Sequence, residues 1–189
     1  MRHRYSLSLI MTFALLLPCA LPAYAASQSE RRALASDRLL AERVGDQVRS
    51  YVYYSIFDDV QGRVENGLVR LTGKVTDPYK AKDIARLVTR VSGVREVDNK
   101  IEVLPVSMFD DDLRAQIAAS IYRDPLFSSY TTQVNPPIHI VVDRGRVTLT
   151  GVVASELERR SAEMKARGAF GAFQVTNKLM LDREMESAN

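Results

Sequence analysis

Few residues in this chain have the chemistry of a catalytic or metal-binding site. Downstream of residue 25 the only histidine is His139, and no cysteine occurs there. His139 stands between Ile138 and Ile140 in an alternating segment, which predicts a strand residue facing away from the apolar side. A general base needs a positioned partner, and a metal ion needs further ligands. Because the sequence suggests neither, we expect no enzymatic activity, no cofactor and no bound metal.

Three consecutive aspartates, Asp110, Asp111 and Asp112, form an acidic run that resembles a cation site only superficially. A calcium loop has oxygen ligands at alternating positions and a glycine turn, which this run lacks. Apolar residues at helical spacing follow it, and negative charge in the first turn complements a helix dipole. The run therefore predicts the beginning of a helix.

The N-terminal 25 residues have the pattern of a secretory signal. Arg2 and Arg4 precede an apolar run over residues 7–17, and Ala23-Tyr24-Ala25 offers a small-x-small cleavage site. The run is too short to cross a bilayer. We expect cleavage after Ala25 and export to the periplasm, with a peripheral position at the outer membrane as a variant of this location.

Cys19 supports a rival hypothesis, in which a lipid is attached to this residue. The preceding Leu-Leu-Pro resembles a lipobox, but a small residue is expected where the proline stands. Cleavage after Ala25 is the favoured reading, and it leaves a chain without cysteine. Such a chain has no disulfide, no thiolate nucleophile and no cysteine-based metal site.

The net charge excludes one class of partner. The formal charge is +3, but the signal carries two of the 26 basic residues and none of the 23 acidic ones, which leaves 24 against 23. A nearly neutral mature chain lacks the concentrated positive field of a nucleic-acid-binding protein. We therefore expect no nucleic-acid partner, and no small-molecule substrate is suggested either.

An internal repeat organises the rest of the chain. The segment Gly-Leu-Val-Arg-Leu-Thr-Gly-Lys-Val at residues 67–75 returns 78 residues later as Gly-Arg-Val-Thr-Leu-Thr-Gly-Val-Val at residues 145–153. Alternating apolar residues between two glycines predict a half-buried strand that follows a turn. The same offset joins Gly93 to Gly171 and Asn99 to Asn177, which predicts two modules of one design.

Hydrophobic spacing predicts the order α-β-β-α-β in each module. This is an α+β tandem repeat, in which each module is a small three-stranded mixed sheet with two helices on one face. Asp37 is the expected N-cap of the first helix, whose apolar stripe is Leu40, Val44, Val48 and Val52. The predicted boundaries are a flexible leader at 26–36, a first module at 37–104, a second module at 105–182 and a tail at 183–189.

The two repeats resemble the BON domain. The resemblance rests on the glycine-strand-glycine segment at 67–75, followed by Gly93-Val94-x-x-Val97-x-Asn99, and on its recurrence in residues 145–179. It implies a non-enzymatic envelope protein that is associated with phospholipid, membrane integrity and osmotic or envelope stress. It also implies that the repeated glycines and asparagines are structural residues.

Two surfaces are candidates for contact with anionic phospholipid. The first is the second helix of module one, where basic residues outnumber the single acid Asp83. Its basic residues are Lys80, Lys82, Arg86, Arg90 and Arg95. An ordinary solvated helix face explains the same residues, and this alternative stays open.

The second candidate surface is the long connection after the first helix of module two, where aromatic residues lie beside a cation. It comprises Tyr122, Arg123, Leu126, Phe127 and Tyr130. The resemblance favours this region for lipid contact, although the chain has no tryptophan. Core packing of Leu126 and Phe127 between the modules remains an alternative. A second alternative for the whole protein is an envelope protein partner bound along a free sheet edge.

Overall fold

The computed structural model describes residues 21–183. Most of the predicted signal, including Cys19, and nearly all of the predicted tail lie outside the described residues. The first half of the chain forms α1 (Leu21–Arg49), β1 (Asp59–Glu65), β2 (Leu68–Val75), α2 (Pro78–Val88) and β3 (Glu96–Val103).

The second half repeats this order with one addition between its first helix and its first strand. Its elements are α3 (Met108–Tyr122), a 3₁₀ turn (Pro125–Phe127), α4 (Ser128–Thr131), β4 (Ile138–Asp143), β5 (Arg146–Val153), α5 (Glu156–Arg167) and β6 (Gln174–Leu181). The added turn and the short α4 occupy the connection that is longer in the second repeat.

Each module contains one three-stranded mixed sheet. The strand orders are β1-β2-β3 and β4-β5-β6. In both sheets the central strand is antiparallel to the first strand and parallel to the third. The predicted fold class, a tandem repeat of α-β-β-α-β modules, is therefore confirmed.

The alternation read from the sequence decides which face of each sheet is buried. Val69 and Leu71 are fully buried, whereas Arg70 between them is exposed. Leu40, Val44 and Val48 of α1 complete the core of the first module. Val52 was predicted to continue this stripe, but it is 84% exposed. The reason is that α1 ends at Arg49, so Val52 lies on an irregular connection.

The predicted leader is helical, which corrects the expectation of a flexible segment. Residues 26–36 are part of α1, and Asp37 lies inside this helix instead of capping it. Alanine, glutamate, arginine and leucine dominate the segment, and all four are strong helix formers. Leu34 and Leu39 are largely exposed, so local propensity rather than core packing accounts for the helix here.

The repeated glycines within the central strands β2 and β5 allow the first strand of each sheet to approach closely. Gly73 and Gly151 have φ values of 120° and 114°. A Cβ atom at these positions would overlap the carbonyl oxygens of Asp59 and Pro137. Any other residue would push the first strand of its sheet away, which accounts for the repeat of this glycine.

The two modules contact each other through the segment after α1 and the strands β2 and β4. The Ile140 backbone N–H donates to the Ile56 carbonyl at 2.6 Å. The Lys74 Nζ atom lies 2.6 Å from a carboxylate oxygen of Asp143. Ile56 also packs against the core of the second module. The first module thus covers part of the outer edge of β4.

Candidate functional site

The predicted lipid-contacting cluster of the second module is largely a core cluster. Phe127 is fully buried and Tyr130 is 8% exposed, with their ring centroids 6.3 Å apart. Leu126 packs against the same core and is half-buried. These side chains cannot reach a headgroup while the module is folded, so the predicted surface is corrected to a core. The core lies within the second module, and Arg123 is the one fully exposed member of the predicted set.

Two tyrosine hydroxyls fasten the long connection to the sheet. Tyr130 donates to a carboxylate oxygen of Glu158 at 2.6 Å and accepts from the Ala154 backbone N–H at 3.0 Å. Burial, reinforced by Glu158, raises the pKa of Tyr130 to about 12. Tyr122 donates to the Ile138 carbonyl at 2.6 Å, and burial raises the pKa of its hydroxyl. Both tyrosines therefore have structural partners.

Lys80 is buried and is not part of the predicted cationic surface. Its Nζ atom lies 2.8 Å from a carboxylate oxygen of Asp58 and 2.7 Å from the hydroxyl of Thr76. Asp58 is fully buried and accepts further bonds from Ser55 and Thr76. An isolated buried carboxylate is costly, so Lys80 serves to pair it. The prediction that Lys80 faces headgroups is wrong.

The remaining cations of α2, together with Arg90 just beyond its end, form an exposed stripe. Tyr79, Lys82, Arg86 and Arg90 follow one another at spacings of three or four residues and are all exposed. We call these four residues the α2 stripe. Arg86 is paired with Asp83 at 2.8 Å, whereas Lys82 and Arg90 form no ion pair within residues 21–183.

Only one of the three cations of the α2 stripe has a cationic counterpart in the second module. The positions 78 residues after Lys82, Arg86 and Arg90 hold arginine, methionine and glycine. Arg95, the fifth predicted cation, is exposed and packs its side-chain stem against Gly67 at the turn between β1 and β2. It lies in the connection between α2 and β3.

A group of exposed aromatic residues was missed by the sequence analysis. Phe109, Phe170 and Phe173 are 47%, 85% and 84% exposed. The ring of Phe173 lies against Gly145, and the ring of Phe109 lies against Gly171. We call the three residues the phenylalanine tip. Comparison of the repeats offered a signal, because two of the positions hold Ser92 and Arg95 in the first module.

The acidic run lies in the first turn of α3, which confirms the predicted helix start, and Asp110 has an additional role. The N-cap is Ser107, whose hydroxyl accepts from the Asp110 N–H at 3.2 Å. Asp110 is 1% exposed and accepts from the backbone N–H groups of Arg144 and Gly145 at 2.8 and 2.9 Å. Asp111 pairs with Arg114. Asp110 therefore fastens the turn between β4 and β5.

Asp37 performs the same function in the first module. Its carboxylate accepts from the backbone N–H groups of Asn66 and Gly67 at 2.6 and 3.3 Å. The signal was present in the sequence, because Asp37 and Asp110 each lie three residues before the first leucine of a helix stripe. Only the fold shows that this position faces the turn.

His139 faces the first module rather than open solvent. Its ring centroid lies 5.4 Å from that of Tyr54. Its Nδ1 atom is buried and has no hydrogen-bond partner among the described residues. The side chain does face away from the core of its own module, as the alternation predicted. It borders a cavity of about 560 Å³ between the modules, together with Val44, Tyr54 and Met180.

The repeated asparagines bind the last strand of each module to its second helix. Asn99 donates to the Ala81 carbonyl and Asn177 to the Arg159 carbonyl, both at 3.0 Å. Each amide oxygen also accepts from the backbone N–H two residues later. These contacts account for both asparagines without a ligand.

Residues 21–183 contain neither a cluster of metal-binding side chains nor a membrane-spanning helix. Across residues 21–183, no three or more histidine, cysteine, aspartate or glutamate side chains are grouped to hold a metal ion. No helix within the same residues has the length and apolar character to cross a bilayer.

The fold and these sites define a class of small proteins built from paired α-β-β-α-β modules. The family model of the BON domain matches residues 36–105 and 109–182. The chain therefore belongs to the BON domain family and carries two copies of the domain. No curated protein matches it.

The solved structures that are similar to this chain include two from the type III secretion system of Chlamydia trachomatis. One, described as the structural protein CdsD, is 11% identical with a TM-score of 0.31, covering 76% of this chain and 95% of that chain. The C-terminal domain of CdsD is 14% identical with a TM-score of 0.32, covering 76% and 66%. Similarity at this level is not evidence of a shared function.

Proposed function

We propose that this chain is an exported, non-enzymatic envelope protein that binds the surface of anionic phospholipid membranes from the periplasm. Its binding supports membrane integrity under osmotic or envelope stress. The observation that carries the proposal is the α2 stripe, in which exposed Tyr79, Lys82 and Arg86 of α2 are continued by exposed Arg90 just beyond the end of the helix. Membership of the BON family is consistent with an envelope-associated protein.

The energetics of the α2 stripe favour an anionic surface. A lysine or arginine near such a surface contributes about 1 kcal/mol, so Lys82, Arg86 and Arg90 together contribute about 2–3 kcal/mol. The lower figure allows for the partial neutralisation of Arg86 by Asp83. Tyr79 adds an amphipathic ring of the kind found at lipid headgroups. Because the cations are exposed, their attraction weakens as salt is added.

Co-sedimentation with vesicles tests the proposal. Residues 26–189 are mixed with vesicles of phosphatidylcholine, with and without phosphatidylglycerol. We expect binding only when phosphatidylglycerol is present, and about 30- to 150-fold weaker binding for a Lys82→Ala/Arg86→Ala/Arg90→Ala variant.

A charge-matched variant serves as the control. Arg63, Arg70 and Lys100 are exposed residues of the first sheet, and their replacement by alanine removes the same charge from a different face. We expect this variant to lose much less affinity than the α2 variant. Equal losses would show that net charge alone matters and would contradict the assignment to α2.

Absence of binding by the unaltered chain would reject the proposal. An envelope protein partner would then be the better explanation, with the outer edges of β3 and β6 as the places to seek it. An exposed strand edge offers unpaired backbone groups to a partner strand.

A further inference from the structure

We propose that the phenylalanine tip of the second module is the part of this protein that enters the bilayer, between the headgroups and the acyl chains. The inference rests on the proposed function and assigns a second surface to it, with a hydrophobic instead of an electrostatic contribution. The tip comprises Phe109, Phe170 and Phe173, and its partner is an anionic phospholipid surface.

The backbone of the tip is held rigidly while its rings project. The Phe173 N–H donates to the Gly145 carbonyl at 2.9 Å, and the Phe170 N–H donates to the Gln116 side-chain oxygen at 2.8 Å. Phe109 belongs to the first turn of α3. Insertion of these rings would therefore cost little additional ordering of the chain.

The first module shows that the fold does not require phenylalanine at these places. Arg95 is the counterpart of Phe173, and its N–H donates to the Gly67 carbonyl at 2.8 Å in the same arrangement. Ser92 is the counterpart of Phe170. Two of the most exposed large apolar side chains of the second module thus replace polar residues of the first, at backbone positions that both modules keep.

Exposed aromatic side chains grouped around one turn are unfavourable in water and mark a contact surface. Transfer of such rings into the boundary between headgroups and acyl chains removes their apolar area from water. The rings project from a turn, a loop and a helix start, and they do not border the cavity between the modules. This arrangement suits a continuous lipid surface better than a peptide strand, which needs a sheet edge.

The charges around the tip favour anionic headgroups. Arg144 lies in the same turn as Gly145, is exposed, and forms no ion pair within residues 21–183. The nearby acid Asp110 is buried and bonded to that turn, and Asp111 is paired with Arg114. Asp112 remains as one exposed acid. The phenylalanines supply the apolar contact, while Arg144 meets the lipid phosphate.

Because the chain has no tryptophan, a Phe170→Trp variant gives a fluorescence signal without background. We expect its emission to shift to the blue when vesicles containing phosphatidylglycerol are added. Lipids brominated on the acyl chains should then quench the emission. A Leu157→Trp variant, on exposed α5 of the same module, should show neither change.

A second measurement compares vesicle binding of a Phe109→Ser/Phe170→Ser/Phe173→Ser variant with that of a Val134→Ser/Leu157→Ser/Met164→Ser variant. All six residues are exposed apolar side chains, so the two variants lose comparable apolar surface without a change in charge. We expect at least about tenfold weaker binding for the tip variant and little change for the control. Thermal unfolding checks that both variants remain folded.

The outcomes separate this inference from the proposed function. If the unaltered chain binds vesicles but the tip variant binds equally well and the Phe170→Trp emission does not shift, the tip is rejected and the proposed function stands. If the unaltered chain does not bind, both are rejected. If the tip variant changes only the self-association of the free protein in sedimentation, the tip is a contact between copies of this chain, and the inference is overturned.

Discussion

An aspartate that hydrogen-bonds the turn between the first two strands is the most informative single residue of each module. Asp110 accepts two backbone N–H groups that have no other acceptor in the turn. Hydrogen bonds to a charged group contribute more than neutral ones, and buried donors left unpaired are costly. Asp37 makes the equivalent contacts beside an exposed helix surface.

We predict that Asp110→Ala lowers the free energy of unfolding by about 3 kcal/mol, because two buried N–H groups lose their acceptor. Urea denaturation followed by circular dichroism measures this effect. Asp112→Ala, two residues along the same helix but exposed, is the control and should cost less than about 0.5 kcal/mol. Equal effects of the two variants would show that helix-dipole charge, rather than the turn, explains the acidic run.

At the scale of elements, the connection between α3 and β4 illustrates how apolar residues on a loop can be misread. The sequence places Phe127 and Tyr130 beside Arg123, a composition that fits both a membrane surface and a core contact. In the structure a 3₁₀ turn and the short α4 fold these rings inward. In the second module, the aromatic residues that do remain exposed lie at the beginning of α3 and around Gly171.

We predict that Phe127→Ala lowers the free energy of unfolding of the second module by about 3–5 kcal/mol, because it leaves a cavity in a closed core. Differential scanning calorimetry measures the loss. Val134→Ala, in the same connection but 97% exposed, should change stability by no more than about 0.5 kcal/mol. A Phe127→Ala variant of unaltered stability with weakened vesicle binding would restore Phe127 to the membrane surface.

At the scale of the whole molecule, a charge pair links the two modules. The side chain of Lys74 is about two-thirds buried, and that of Asp143 is slightly more buried. The Lys74 ammonium holds the pKa of Asp143 below its usual range, and Asp143 raises the pKa of Lys74. Since both side chains are partly exposed, the pair contributes about 0.5–1 kcal/mol at most.

The sign of the Asp143 pKa shift predicts a loss of stability in acid. The pair stabilises the folded chain at pH values above the ordinary carboxyl pKa of 3.8, and this contribution disappears as the pH falls through the lowered folded value. Chemical denaturation measures the free energy of unfolding at pH 6 and at pH 3. The decrease between these two pH values should be smaller for Asp143→Asn than for the unaltered chain. Asp112→Asn is the control, and an identical loss in Asp143→Asn would contradict the prediction.

The two modules share one scaffold and differ in what they expose. The first presents a cationic helix face, and the second presents the phenylalanine tip. In our proposal, charge attracts the protein to an anionic membrane over a distance of about a Debye length, while the aromatic rings act only on contact. Raising the salt concentration should therefore weaken the first contribution more than the second.

The sequence by itself determined the repeat, the element order and the buried face of each sheet. Apolar and polar residues alternate between Gly67 and Gly73 and again between Gly145 and Gly151. This alternation is a property of the local sequence, so it can be read without knowledge of the tertiary structure. Helix propensity is also a local property. The leader at residues 26–36 is helical because of it, although this segment has no apolar stripe from which a helix is predicted.

Only the tertiary structure decided which polar and aromatic residues are available for contact. Lys80 and Lys82 are indistinguishable by type, yet Lys80 pairs with buried Asp58 while Lys82 faces solvent. Phe127 and Phe173 differ in the same way. Burial depends on partners that are distant in the chain, and the pattern of a single segment does not contain those partners. The proposed site of membrane contact therefore follows from packing, whereas the fold follows from periodicity.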